Sequence, residues 1–166
     1  MHSNVEPILE EPMTQPAATP GRYHIDLEWY RKVDRSFTSM AEGRMCGSCR
    51  AKLGAEVETR VPVLDAKGTK VVFETRHVAY GSNPVTVIRD CCNESKGYIT
   101  ANMPLMEIAF RILLANGNQP LTVEEIAQQM TEHITYAGGS RTVSPESLAR
   151  MLKNDDYYGF SIIQVP

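Results

Sequence analysis

The chain has 166 residues, with 17 Lys and Arg against 20 Asp and Glu, and a formal net charge of −3. Its 42% apolar content suits a packed domain and excludes wholesale disorder. No apolar run approaches the roughly 20 residues of a transmembrane helix, and Met1–Pro7 lacks the basic flank and apolar stretch of a secretory signal. A cytoplasmic protein without membrane contact is therefore expected, and its mild acidity lends no bulk support to generic DNA binding.

Residues 1–21 hold four of the ten prolines, three Glu and no Lys or Arg. Such a stretch buries too little apolar surface to offset its ordering entropy, so a flexible tail is predicted. Asp26 can cap an amphipathic helix whose stripe is Trp29, Tyr30, Val33, Phe37 and Met40, with Gly43 as its stop. Glu56–Val63 and Thr69–Thr75, separated by the turn Asp65-Ala66-Lys67-Gly68, predict a hairpin. Asn83-Pro84 then has the form of an N-cap followed by proline at the first helical position, opening a short helix that ends before Gly97.

The last part of the chain alternates helical stripes with turn signals. Pro104 opens a helix through Leu105, Ile108, Ala109, Ile112 and Leu113, which ends at Asn116-Gly117-Asn118. Thr122-Val123-Glu124-Glu125 is a capping box leading a second helix through Val123, Ile126, Met130 and Ile134. Ser144-Pro145 starts a third helix with Leu148, Met151 and Leu152 inward, and Phe160–Val165 predicts a strand. Three helices and a terminal strand make a helix-turn-helix with a wing. The expected fold class is α+β, divided into a tail (1–21), a cysteine-containing zinc-binding region (22–97) and a winged-helix domain (98–166).

All four cysteines fall between positions 46 and 92, as Cys46-Gly47-Ser48-Cys49 and the adjacent pair Cys91-Cys92. A C-x-x-C turn presents two thiolates to one ion, and four cysteines complete a tetrahedral structural zinc site. Neighbours on a helix point about 100° apart, so Cys91 and Cys92 can both ligate only if the helix ends there, as Asn93–Gly97 allows. Otherwise one of them binds and His77 is the substitute ligand. An iron–sulfur cluster is a second way to use four cysteines. A redox dithiol at Cys46 and Cys49, or buried inert thiols, are further readings. No G-x-S-x-G elbow or G-x-x-x-x-G-K-[ST] loop is present, so no catalytic residue is assigned.

The segments Pro104–Leu113 and Gln119–Ile126, with Val143–Leu148 and Lys153-Asn154-Asp155, resemble the HARE-HTH winged-helix family. The resemblance covers residues 98–166 and implies a winged helix of the kind fused to chromatin, restriction and transcription proteins, with contact to DNA or polymerase. Charge qualifies that picture. Residues 22–97 carry 13 basic and 10 acidic groups, whereas residues 98–166 carry four basic and seven acidic ones. Nucleic-acid contact would fall to Arg141, Arg150 and Lys153 around the third helix, with a further basic cluster of Arg31, Lys32, Arg35, Arg44, Arg50 and Lys52 near the cysteines. The expected function is that of a non-enzymatic zinc-containing regulator or accessory factor contacting DNA or RNA. The alternatives are a protein-interaction module that meets a partner such as the transcription machinery without direct DNA binding, and a thiol or metal-dependent enzyme.

Overall fold

The computed structural model describes residues 21–163, so most of the tail expected at 1–21 and the last three residues lie outside it. Along the chain run β1 (Arg22–Ile25), α1 (Leu27–Lys32), α2 (Phe37–Glu42), α3 (Gly47–Ala51), β2 (Glu56–Leu64), β3 (Val71–Ala79), α4 (Pro84–Asp90), a 3-10 turn (Cys92–Glu94), α5 (Leu105–Ala115), β4 (Leu121–Thr122), α6 (Val123–Tyr136), α7 (Pro145–Lys153) and β5 (Phe160–Ile163). The class is mixed α+β, as expected, with two small antiparallel sheets.

The long helix expected from Asp26 to Gly43 is broken in two. Asp26 does cap α1, accepting from the backbone N–H groups of Glu28 and Trp29. Asp34 then adopts φ +54, and the Arg35 N–H reaches back to the Tyr30 carbonyl, which closes the helix end. Ser36 caps α2 by accepting from Ser39 N–H. The apolar stripe runs through this break, and only Tyr30 of its members is fully buried.

The expected hairpin forms, with β2 and β3 paired from Glu56↔Ala79 to Leu64↔Val71, but its second strand starts at Val71 and runs on past Thr75 to Ala79. The helices α5, α6 and α7 begin and end close to the signals in the sequence, and Thr122 and Ser144 make the expected capping bonds to Glu125 and Ser147. Helix α5 differs from a one-sided stripe. It is apolar nearly all round, as a helix buried on several faces must be: Ile108, Ala109 and Ile112 pack with Ile126, Met130, Ile134, Leu148 and Leu152. Its Phe110, Leu113 and Leu114 pack with Ile25, Tyr30, Ala41, Ile88 and Cys92.

Sheet order ties the two ends of the chain together. β1 lies between β4 and β5, antiparallel to both, with Arg22 opposite Thr122 on one side and Ile163 on the other. Asn118, at φ +59, accepts from Ile25 N–H (2.8 Å) and donates to Ile25 O (2.9 Å), which extends the edge of β1 by a side chain. Asp155 gathers the backbone N–H groups of Tyr157, Tyr158, Gly159 and Phe160 at the entry to β5. Segments on either side of residue 97 thus share one sheet and one central helix.

Candidate metal centre

The two cysteine motifs, 42 positions apart, converge. The sulfurs of Cys46, Cys49 and Cys91 all lie within 4.8 Å of one another, and Cys49 Sγ is 3.5 Å from Cys91 Sγ. Four sulfurs at about 2.3 Å from a tetrahedral zinc stand about 3.8 Å apart, so these separations suit one shared ion. The three cysteines can hold a metal.

Local geometry explains the convergence. Cys46 is extended (φ −69, ψ 159) and stands at the N-cap of α3, so its sulfur sits at the helix start. Arg50 of α3 donates to the carbonyls of Gly43 and Met45 (3.0 and 3.1 Å), bracing the turn that carries Cys46. On the other side α4 stops at Asp90. Cys91 has φ −139 and ψ −63, and the chain passes into the 3-10 turn starting at Cys92. The helical constraint that would hold neighbouring side chains about 100° apart ends there, which frees Cys91 to point at Cys49. Asn93 seals this end by donating to the carbonyls of Ile88 and Arg89.

Cys92 falls outside the 4.8 Å group, but it is fully buried and lines the same small pocket as Cys46. His77 lies elsewhere, on the hairpin between Glu56 (3.4 Å) and Glu58 (3.8 Å), and is not among the clustered donors.

The thiols are electrostatically unequal. The Ser48 hydroxyl (3.3 Å) and the Cys49 N–H draw the Cys46 thiol down to about 5. Burial pushes Cys92 up to about 12, and the hydrogen bond with Cys49, together with the nearby sulfur charge, raises Cys91. Clustered thiols cannot all ionise against one another, whereas a bound dication deprotonates its thiol ligands outright. Neighbouring Cys49 and burial push the Tyr80 hydroxyl up to about 12. A small pocket of about 190 Å³ beside the sulfurs is lined by Cys46, Cys92, Arg44, Lys96 and Arg111, so positive charge faces the side on which a metal–thiolate group would be negative.

Sequence reasoning missed Ser48 and Tyr80 as neighbours of the sulfurs. Ser48 stands inside the motif, where the C-x-x-C pattern assigns its position no role. Tyr80 gave a weaker sign, the Tyr80-Gly81 step at the hairpin exit, where Gly81 has φ +79 and a Cβ would meet Leu53 at 2.3 Å.

The basic cluster predicted around the cysteines is largely engaged within the protein. Arg31 pairs with Glu28, and Arg35 stacks on Tyr157 (4.5 Å) and bonds to its carbonyl. Arg44 donates to both oxygens of Glu107 (2.9 Å each), and Lys52 lies over Tyr80. Glu107 also accepts from Arg111 and from the Tyr158 hydroxyl, both at 2.9 Å. Burial works to raise the Glu107 pKa, but the bonds from Arg44, Arg111 and Tyr158 outweigh it and hold the carboxyl below its ordinary value. In the C-terminal part, Arg141 donates to the carbonyls of Ala101 and Met103, while Arg150 and Lys153 stand exposed on α7. No helix among the described residues is long and apolar enough to cross a membrane. Fold and site together define an α+β protein with a cysteine cluster that can hold a metal. Comparison with family models, curated proteins and solved structures returned no match to this chain.

Proposed function

We propose that the protein is a non-enzymatic accessory or regulatory factor in which a structural zinc on Cys46, Cys49, Cys91 and Cys92 staples the base of the β2–β3 hairpin to a winged-helix body. The observation that carries this reading is the meeting of three sulfurs from two distant motifs, with the buried Cys92 sulfur alongside. An all-sulfur donor set favours zinc or an iron–sulfur cluster over hard cations, and the metal's task in this reading is structural because the site joins two segments 42 positions apart at the base of the hairpin. Metal analysis of the purified protein tests it: one zinc per chain is expected, whereas iron with matching inorganic sulfide, or no metal, refutes it.

The winged-helix assignment and the HARE-HTH resemblance are supported by the order α5, β4, α6, α7, β5 and by the Ser144-capped third helix. In this reading α7 meets nucleic acid with Arg150 and Lys153, which retain exposed charge. A gel shift that weakens with added salt is the test, and binding unchanged in Arg150→Glu removes α7 from the interface. One observation favours the second reading, a protein-assembly module without direct DNA contact: Arg35, Arg44, Arg50 and Arg141 all donate to groups of the protein itself, leaving few cations for phosphates.

A further inference from the structure

The hairpin poses a problem that neither the metal nor the helical body answers. All nine residues of β3 are exposed, including Val71 at 62% and Phe73 at 61%, and among the described residues β3 pairs with β2 alone. An uncovered nine-residue strand rich in Val is an edge that soluble proteins normally blunt with proline, lysine or a bulge. β2 carries such a device, Pro62; β3 has no proline, lysine or bulge, only the charges of Glu74 and Arg76, which stand 3.4 Å apart on the strand.

The hydrogen-bond phase decides what the free edge of β3 offers. Asp65 N–H donates to Lys70 O just beyond one end of the ladder, and Tyr80 N–H donates to Ala55 O just beyond the other. In an antiparallel ladder bonded and non-bonded pairs alternate, so the bonded pairs run through Val63↔Val72, Val61↔Glu74, Thr59↔Arg76 and Val57↔Val78. The residues between them, Val71, Phe73, Thr75, His77 and Ala79, turn their N–H and C=O groups outward. Pro62 falls in the same outward phase on β2, where its missing N–H costs the hairpin nothing and blanks that edge.

We propose that the outer edge of β3 pairs antiparallel with the same edge of a second copy, about a twofold axis at Thr75. An isologous strand pair must match outward residues with outward residues, which an axis at any residue allows, and centres at 74, 75 and 76 keep the longest overlap of Val71–Ala79. A centre at 74 sets Glu74 against Glu74, and a centre at 76 sets Arg76 against Arg76; like charges directly opposite are destabilising. The centre at Thr75 gives Glu74 opposite Arg76 of the second copy, twice, with Thr75 on Thr75. It also places Phe73 opposite His77, Val72 opposite Val78 and Val71 opposite Ala79. The strand reads apolar, apolar, aromatic, acidic, Thr, basic, imidazole, apolar, apolar, and is complementary to its own reverse. Pairing converts two ribbons into one four-stranded sheet and satisfies the outward backbone groups of both copies.

The full-length protein, metal-loaded, is examined by sedimentation velocity and light scattering across the micromolar range. A concentration-dependent dimer is expected. Glu74→Arg or Arg76→Glu alone turns both cross-strand pairs repulsive and should weaken dimerisation by roughly tenfold or more, and the double variant should recover it. Thr75→Pro removes only an outward donor, so the hairpin and the metal content persist while the dimer is lost. A wild-type monomer at all concentrations overturns the proposal, including a chain that dimerises only once residues 1–20 are removed. So does a dimer indifferent to Thr75→Pro, or one that the charge swap does not restore.

Discussion

Glu107→Gln probes how the turn that carries Cys46 is fastened to the body. The Glu107 carboxylate receives two bonds from Arg44, one from Arg111 and one from Tyr158, all at 2.9 Å. The three charged side chains are only 13–19% exposed, so solvent does little to screen them. Breaking one partner of a buried ion pair leaves uncompensated charge at a cost of about 3–5 kcal/mol. Glutamine keeps the shape and one acceptor oxygen, which puts the expected loss near the lower end, about 3 kcal/mol. For a domain of this size that lowers Tm by about 10 °C. Urea denaturation and thermal melting of the metal-saturated protein measure it, and a loss under about 1 kcal/mol would refute the reasoning. The pH dependence provides a second reading. Glu107 titrates below its ordinary value of 4.5 in the folded protein. Its contribution is therefore complete above the unfolded-state pKa and disappears as pH falls through the lower folded value. Acidification below about pH 5 should destabilise the native chain more steeply than Glu107→Gln, and parallel curves would contradict this account.

Metal removal should cost stability by linkage: about 4 kcal/mol where free zinc exceeds Kd a thousandfold, seen as a fall in Tm on chelation and in Cys49→Ser. An unchanged melting curve refutes the staple. Asn118→Ala should cost about 2 kcal/mol by urea titration, since it removes the paired bonds to Ile25 and puts alanine at φ +59; a loss within about 0.5 kcal/mol would show that β1 holds without them. Asp34→Gly should be neutral or stabilise by up to about 1 kcal/mol at φ +54, while Asp34→Val should cost at least that. Equal melting of the two variants would argue against the left-handed break.

Much of the helical body was legible because its signals are local. Thr122, Ser144 and the Asn116-Gly117-Asn118 stop act within one turn of the elements they bound, so chain order alone reveals them. The break between α1 and α2 was hidden because the apolar stripe continues across it, and Asp34 is read equally well as a helix surface residue until its φ is known. Helix α5 carried its second face openly in Phe110 and Leu114, but a one-sided template discards such residues. In the cysteine region the motif spacing pointed to all four sulfurs, of which three cluster, and left open which of Cys91 and Cys92 would join. It could not show that α4 stops at Asp90, and that stop is what turns Cys91 toward Cys49. Charge counts along a chain also do not register that Arg44 and Arg50 point back at Glu107 and at backbone carbonyls.

The position of β1 between β4 and β5 has a consequence for biosynthesis. Arg22 must wait for Ile163 before its strand is enclosed on both sides, so the sheet closes only after residue 163 has left the ribosome. Contacts this distant in chain order are slow to form, and until then the edge of β1 that β5 covers stands open. For this protein the interval between synthesis and closure is the hazardous one, and chaperone demand should concentrate there.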